Sequence, residues 1–255
     1  MSVSCTASEL LCVVAARHIE DGQTLFGGVG LPLLSAVLAS KTHAPHLQIV
    51  VEGGVIGMEV LPGRLPISTN EMRLAHRATM LPGVTDTFLF AQRGFLDIGF
   101  VGGAQIDRHG NLNSSVIGPY DRPKVRLPGS GGANDIISLC REVMVVTMHE
   151  KRRFVPKVDF ITSPGFLDGG DSRKAAGLHF GRVSQVITNL GILGFDEEQR
   201  TMCIEAVHPG VTPGIIQQET GFELLIPEHV RTTDPPSEHE LATLRSLDPE
   251  RTWLG

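Results

Sequence analysis

Apolar residues along the chain fall into two kinds of run, and the two kinds alternate. Over residues 9–19 they recur at helical spacing, with Leu11, Val14, Ala15 and His18 sharing a side and Ser8 placed to cap the first turn. Residues 23–26 then read as a strand, followed by a glycine-rich turn and a second helix that starts near Pro32. Residues 47–51 make a stronger strand, because Ile49, Val50 and Val51 are β-branched and Gly53 and Gly54 follow Glu52. Further strands are predicted at 98–101, 143–148, 185–188, 202–207 and 222–226, with helices at 134–141 and 213–220. Near-continuous hydrophobicity in these strands predicts burial on both faces. The alternation therefore predicts an α/β fold, a mainly parallel sheet covered by helices. After residue 230 the chain turns polar, with Pro235, Pro236 and several acids, before a short helix over 241–247. The expected organisation is one domain over 1–230 and a C-terminal extension over 231–255.

Composition narrows the class. A chain of 255 residues with 41% hydrophobic and 20% charged residues can bury a full core, which excludes disordered and fibrous classes. The net charge of −6 argues against a nucleic-acid partner, whose footprint is a basic stripe. The uncharged stretch 22–40 is interrupted by Gly27, Gly28, Gly30 and Pro32, so it reads as strand, turn and buried helix rather than a membrane span. An early Glu9 and the lack of a basic leader argue against a secretory signal. Cys5, Cys12, Cys140 and Cys203 show no ligand spacing, so neither a metal centre nor a disulfide framework is expected, and a cytoplasmic setting is.

Several segments carry chemistry. Glu52 ends a predicted buried strand and precedes Gly53 and Gly54, so a carboxylate stands where strands of an α/β sheet meet ligands and glycines allow close approach. Such a group serves as nucleophile, base or ligand; the plainer alternative is a solvated strand-end glutamate. The run Gly129-Ser130-Gly131-Gly132-Ala133-Asn134 exposes backbone amides before a helix and suits an oxyanion or phosphate, or it is a tight turn with Asn134 as cap. It is neither a dinucleotide fingerprint nor a P-loop. Gly28-Val29-Gly30-Leu31-Pro32 reads as a structural turn. Gln105, Asp107, Asn111 and Asn113 offer polar side chains around another, for a substrate carbonyl or for the backbone itself. His149-Glu150-Lys151-Arg152-Arg153 lacks the second histidine of a zinc helix; its cations suit phosphates, a partner's acids or solvent.

Taken in chain order, from Gly28-Val29-Gly30-Leu31-Pro32 through Glu52-Gly53-Gly54, Gly102-Gly103-Ala104-Gln105-Ile106-Asp107, the 129–134 run and the 149–153 run to Thr162-Ser163-Pro164-Gly165, these segments resemble the beta subunit of the family I coenzyme A transferases, most closely the glutaconate type, over roughly residues 9–230. The resemblance implies that Glu52 is the nucleophile and that Gly132 supplies an oxyanion-stabilising amide. It implies coenzyme A contacts at Gly131, Gly132 and Asn134, and acyl-substrate contacts at Gly53, Gly54, Gln105 and Asn111. Many relatives carry Ser or Asn after the glutamate, where Gly53 stands here. No permanently bound cofactor is implied, only coenzyme A as co-substrate. The implied partners are a homologous alpha subunit in an α2β2 assembly, an acyl-CoA and a carboxylic acid, which could be dicarboxylic. Two other readings stay open on the same scaffold: a hydrolase of the steroid-ring-degradation type, or a noncatalytic support for the alpha subunit. A sugar-phosphate isomerase on a related fold fits the motif order less well.

Overall fold

A computed structural model describes residues 4–255. In chain order the elements begin with α1 (Ala7–Ala16), β1 (Thr24–Gly27), α2 (Leu31–Thr42), β2 (Gln48–Val51), β3 (Val55–Ile56), α3 (Val84–Gln92) and β4 (Ile98–Val101). There follow β5 (Gln105–Ile106), β6 (Leu112–Asn113), β7 (Val116–Ile117), β8 (Val125–Arg126), α4 (Ala133–Leu139) and β9 (Glu142–Val146). The last are α5 (Ser172–Ala175), β10 (Val183–Ile187), β11 (Gly191–Phe195), β12 (Met202–Val207), α6 (Pro213–Gln218), β13 (Arg231–Thr232) and α7 (Glu238–Leu247). They form two compact units, one from the residues up to Phe100 with Pro235–Gly255, the other Val101–Asp234.

In the first unit β1 lies between β2 and β4 and is parallel to both, while β3 folds back antiparallel on β2. Leu25 and Phe26 of β1 and Phe100 of β4 are buried, as their uninterrupted apolar runs require. Helix α2 buries Leu33 through Ala39 without a polar face, because it packs against β1, α1 and α7 together. Helix α1 is capped by Thr6, not by Ser8: the Thr6 hydroxyl accepts from the Glu9 amide at 3.3 Å, and the Glu9 carboxylate accepts from the Thr6 amide at 2.8 Å. That reciprocal pair satisfies two helix-end donors, which a cap two residues later would leave open.

Glu9 has a second task. Its buried carboxylate accepts from Arg245 of α7 at 2.8 and 3.0 Å, and this bond holds its pKa down to about 2. Leu241, Leu244 and Leu247 of α7 are buried against α1 and α2. The helix that ends the chain is thus part of the first unit's core.

In the second unit the strand order is β9-β10-β11-β12-β13. Strands β9 and β10 are parallel, β10, β11 and β12 form an antiparallel meander, and β13 runs parallel to β12. The short hairpins β5–β6 and β7–β8 lie outside this sheet. The strand expected at 222–226 does not form: Leu225 makes a single bridge to Cys203, and Leu225 and Ile226 are exposed. Among the described residues no helix is long and apolar enough to cross a membrane.

Candidate active site

Strand β2 stops at Val51, whose carbonyl accepts from the Gly54 amide at 3.0 Å, and Val51 pairs with Val55. Glu52, Gly53 and Gly54 are therefore the tight turn of a hairpin. The Glu52 side chain is half-buried and makes no hydrogen bond or ion pair among the described residues. Its oxygens are open to a reacting partner, whereas those of Glu9 are tied to guanidinium and amide donors.

The two glycines are fixed by what presses on them. A Cβ at Gly53 would stand 2.3 Å from the Thr69 carbonyl and 2.6 Å from Asn70 Oδ1. At Gly54, where φ is +87°, it would stand 2.1 Å from the Pro82 carbonyl. Two loops of the first unit thus hold the turn through backbone atoms that have little room to shift. This explains glycine at position 53. Gly53→Ser is expected to displace the turn and cut turnover by about 10²-fold, with an unchanged circular dichroism spectrum; wild-type turnover would show that the 69–70 loop yields.

In the second unit the Gly129 amide donates to the Ser114 carbonyl at 2.8 Å and the Leu127 amide to Ser115 at 2.9 Å. The chain then turns through Gly129 at φ +99° and Gly131 at φ +48°, a region open to glycine at little steric cost. Gly131 and Gly132 donate no backbone hydrogen bond among the described residues, which leaves two amides for an anion. Helix α4 is capped by Gly132, so Asn134 is not its cap. Asn134 instead donates through Nδ2 to the Thr162 carbonyl at 2.9 Å. The Thr162 hydroxyl meets Ser115 Oγ at 2.8 Å and accepts from the Ser114 amide at 2.9 Å, so one threonine ties both ends of the turn to one place.

Gln105 and Asn111 are corrected by the structure. Gln105 is buried, donates to Asp159 Oδ2 at 3.0 Å and accepts from Asn113 Nδ2 at 2.6 Å. Asn111 donates to Asp107 and to the Leu167 carbonyl, and accepts from the Gly165 and Leu167 amides at 3.0 Å each. Both side chains are committed inside the fold, leaving neither to touch an acyl substrate. His149 is a core residue: it stacks on Phe154 at 3.8 Å between the hydroxyls of Thr188 and Thr220, and burial pushes its pKa down to about 4. Arg152 pairs with Glu150, and Arg153 reaches the Gly103 carbonyl at 3.2 Å. Gly30 turns at φ +89° beside the Trp253 ring, a structural role as expected. Among the described residues no cluster of His, Cys, Asp or Glu is arranged to hold a metal ion.

Sequence reasoning missed Thr69, Asn70, Pro82 and the task of Thr162. The glycine pair after Glu52 signals crowding, but nothing local says which distant loop does the crowding.

An open strand-end carboxylate in the first unit and free amides on a glycine-rich turn in the second are each groups that acyl-transfer chemistry uses. Residues 10–219 match the Coenzyme A transferase family, and the chain belongs to it. It is similar to the B subunit of 3-oxoadipate CoA-transferase from Pseudomonas knackmussii, 39% identical with 95% of this chain and 93% of that one covered. It is 36% identical to the B subunit of glutaconate CoA-transferase from Acidaminococcus fermentans, covering 98% and 95%. The crystal structure of that enzyme superposes with a TM-score of 0.91 at 34% identity, over 100% of this chain and 99% of the other. A third relative, the cholesterol ring-cleaving hydrolase IpdB subunit of Mycobacterium tuberculosis, is 34% identical over 96% of both chains. End-to-end correspondence with B subunits makes this chain a B-type CoA-transferase subunit, with coenzyme A as the family's co-substrate.

Proposed function

We propose that this chain supplies the nucleophile, Glu52, of a two-chain transferase that moves coenzyme A between an acyl-CoA and a dicarboxylic acid. The observation that carries the reading is the Glu52 carboxylate, unpaired at the end of β2 on a turn held by backbone contacts. A carboxylate oxygen attacks the thioester carbonyl, the C–S bond breaks, and coenzyme A leaves as thiolate from a mixed anhydride. The thiolate attacks the glutamyl carbonyl, expelling the donor acid and leaving a glutamyl-CoA thioester. An acceptor carboxylate then attacks that carbonyl and expels the thiolate, which takes the acceptor acyl group and frees Glu52. No proton is gained or lost, and each intermediate is as activated as the thioester, so a weak nucleophile suffices. The amides of Gly131 and Gly132 are assigned to the negative charge that develops on the acyl oxygen, and Asn134 keeps their turn in place.

Two named relatives act on 3-oxoadipate and glutaconate, which supports a substrate with a second carboxylate. Their designation as B subunits supports an A-type partner, for which we assign α2β2 stoichiometry. Ile67, Met72, Met80 and Leu81, exposed on the loops around the Glu52 turn, fit a surface that such a partner covers. Hydrolysis, the activity named for the third relative, has no feature of this chain in its favour. The test is to treat the two-chain complex with acyl-CoA and borohydride and map the product by mass spectrometry. Reduction of the side chain at Glu52 is the expected result; release of coenzyme A with Glu52 unmodified overturns the reading.

A further inference from the structure

A cavity of about 210 Å³ lies wholly within the second unit, at the turn that joins β5 to β6. Its lining includes Arg108, Lys157 and Asp168, none of which has an ion pair among the described residues. Arg108 is half-buried with its guanidinium 5.8 Å from the Phe222 ring centroid, while Lys157 and Asp168 stand at the exposed rim. Asp107 also lines it, but its oxygens accept from Asn111 Nδ2 and from the His109 and Asn111 amides, so it belongs to the wall.

The wall is built at a cost. Leu167 holds φ at +54°, unusual for a leucine, and Asn111 fixes it there by bonding both its amide and its carbonyl. The asparagine expected to bind substrate instead keeps a left-handed leucine against the cavity, beside Ile161. Two unpaired cations suit a dianionic phosphate monoester, and one unpaired carboxylate suits a neighbouring hydroxyl donor. Coenzyme A carries that pair of groups on adjacent atoms, a ribose 3′-phosphate and a 2′-hydroxyl. The remaining apolar wall suits carbon atoms of the sugar.

We propose that this cavity receives the 3′-phosphoribose of coenzyme A, with Arg108 and Lys157 on the phosphate and Asp168 accepting from the 2′-hydroxyl. The assignment rests on the transferase reading for its ligand. It is tested in the two-chain complex by comparing kcat/KM for an acyl-CoA and for the same acyl-dephospho-CoA, which lacks the 3′-phosphate. The wild type is expected to favour the phosphorylated form by about 10- to 100-fold through KM, the range for charge-assisted bonds to a phosphate. In Arg108→Ala/Lys157→Ala that ratio falls toward one, and adenosine 3′-phosphate, competitive against acyl-CoA in the wild type, no longer inhibits. A wild type without preference, a double variant that keeps it, or non-competitive inhibition overturns the assignment. Borohydride labelling of Glu52 in the same samples separates the two ideas. Label present with the ratio untouched sinks only the cavity assignment, whereas a ratio that collapses in the variant without wild-type label supports the cavity and sinks the transfer mechanism.

Discussion

Replacing Glu52 by glutamine is expected to lower CoA transfer by about 10⁴-fold or more, the scale on which enzymes lose turnover when a covalent nucleophile is removed. The amide has the same shape and cannot form the anhydride. Because Glu52 makes no hydrogen bond or ion pair among the described residues, stability should change by no more than about 0.5 kcal/mol. The loss would then be chemical and not structural. Aspartate at the same position keeps the charge but withdraws it by one methylene, and a displacement of that order costs about 10²-fold. Transfer kinetics of both variants in the complete complex, with urea melts alongside, check the prediction. A glutamine variant that retains more than about 1% of turnover, on the same scale, would leave this chain as a support for chemistry done by its partner.

The parts of the fold that were legible in the sequence share a physical cause. Strands buried on both faces leave uninterrupted apolar runs, and residues 98–101 coincide with β4 because all four of its positions are buried. Strand β11 was not legible, since Gly191 and Gly194 interrupt its pattern. Those glycines answer to another strand: a Cβ would stand 2.4 Å from the Ala206 carbonyl at Gly191 and 1.9 Å from Glu205 Oε1 at Gly194. Helix α3 was hidden for a different reason, because its buried positions include Thr87 while Val84 and Leu89 are exposed.

The same division runs through the candidate site. Glu52 stood out because an acid between a β-branched strand and two glycines is a local pattern. Gln105 and Asn111 could not be read, because a polar side chain beside a turn looks the same whether it faces a ligand or its own fold. What decides is a partner far along the chain, Asp159 at 54 residues from Gln105 and Leu167 at 56 from Asn111. Glu9 shows this at longer range, with Arg245 and Arg251 lying 236 and 242 residues away.

The loss of Arg173 should cost the fold heavily. This arginine is buried, and no carboxylate pairs with it among the described residues. Nη1 donates to the carbonyls of Pro164 and Gly165 at 2.7 and 2.8 Å, and Nη2 to those of Ile137 and Phe180 at 2.8 and 3.2 Å. Burial lowers the pKa of the guanidinium, which marks the desolvation that these four bonds offset. Arg173→Met fills much of the same volume but leaves those carbonyls without donors, at roughly 1–3 kcal/mol for each acceptor that water cannot reach. Removing the buried charge returns part of this, so a net loss of about 3–5 kcal/mol is expected, read as a lower urea midpoint with an unchanged slope. Activity should fall as well, since Ile137 lies in α4 directly after the glycine-rich turn, and Pro164 follows the segment in which Thr162 holds Asn134. Lysine separates charge from geometry: it keeps the cation but cannot span four carbonyls, so it should recover only part of the stability. A methionine variant as stable as the wild type would mean that those carbonyls find other donors and that the arginine does not organise the turn.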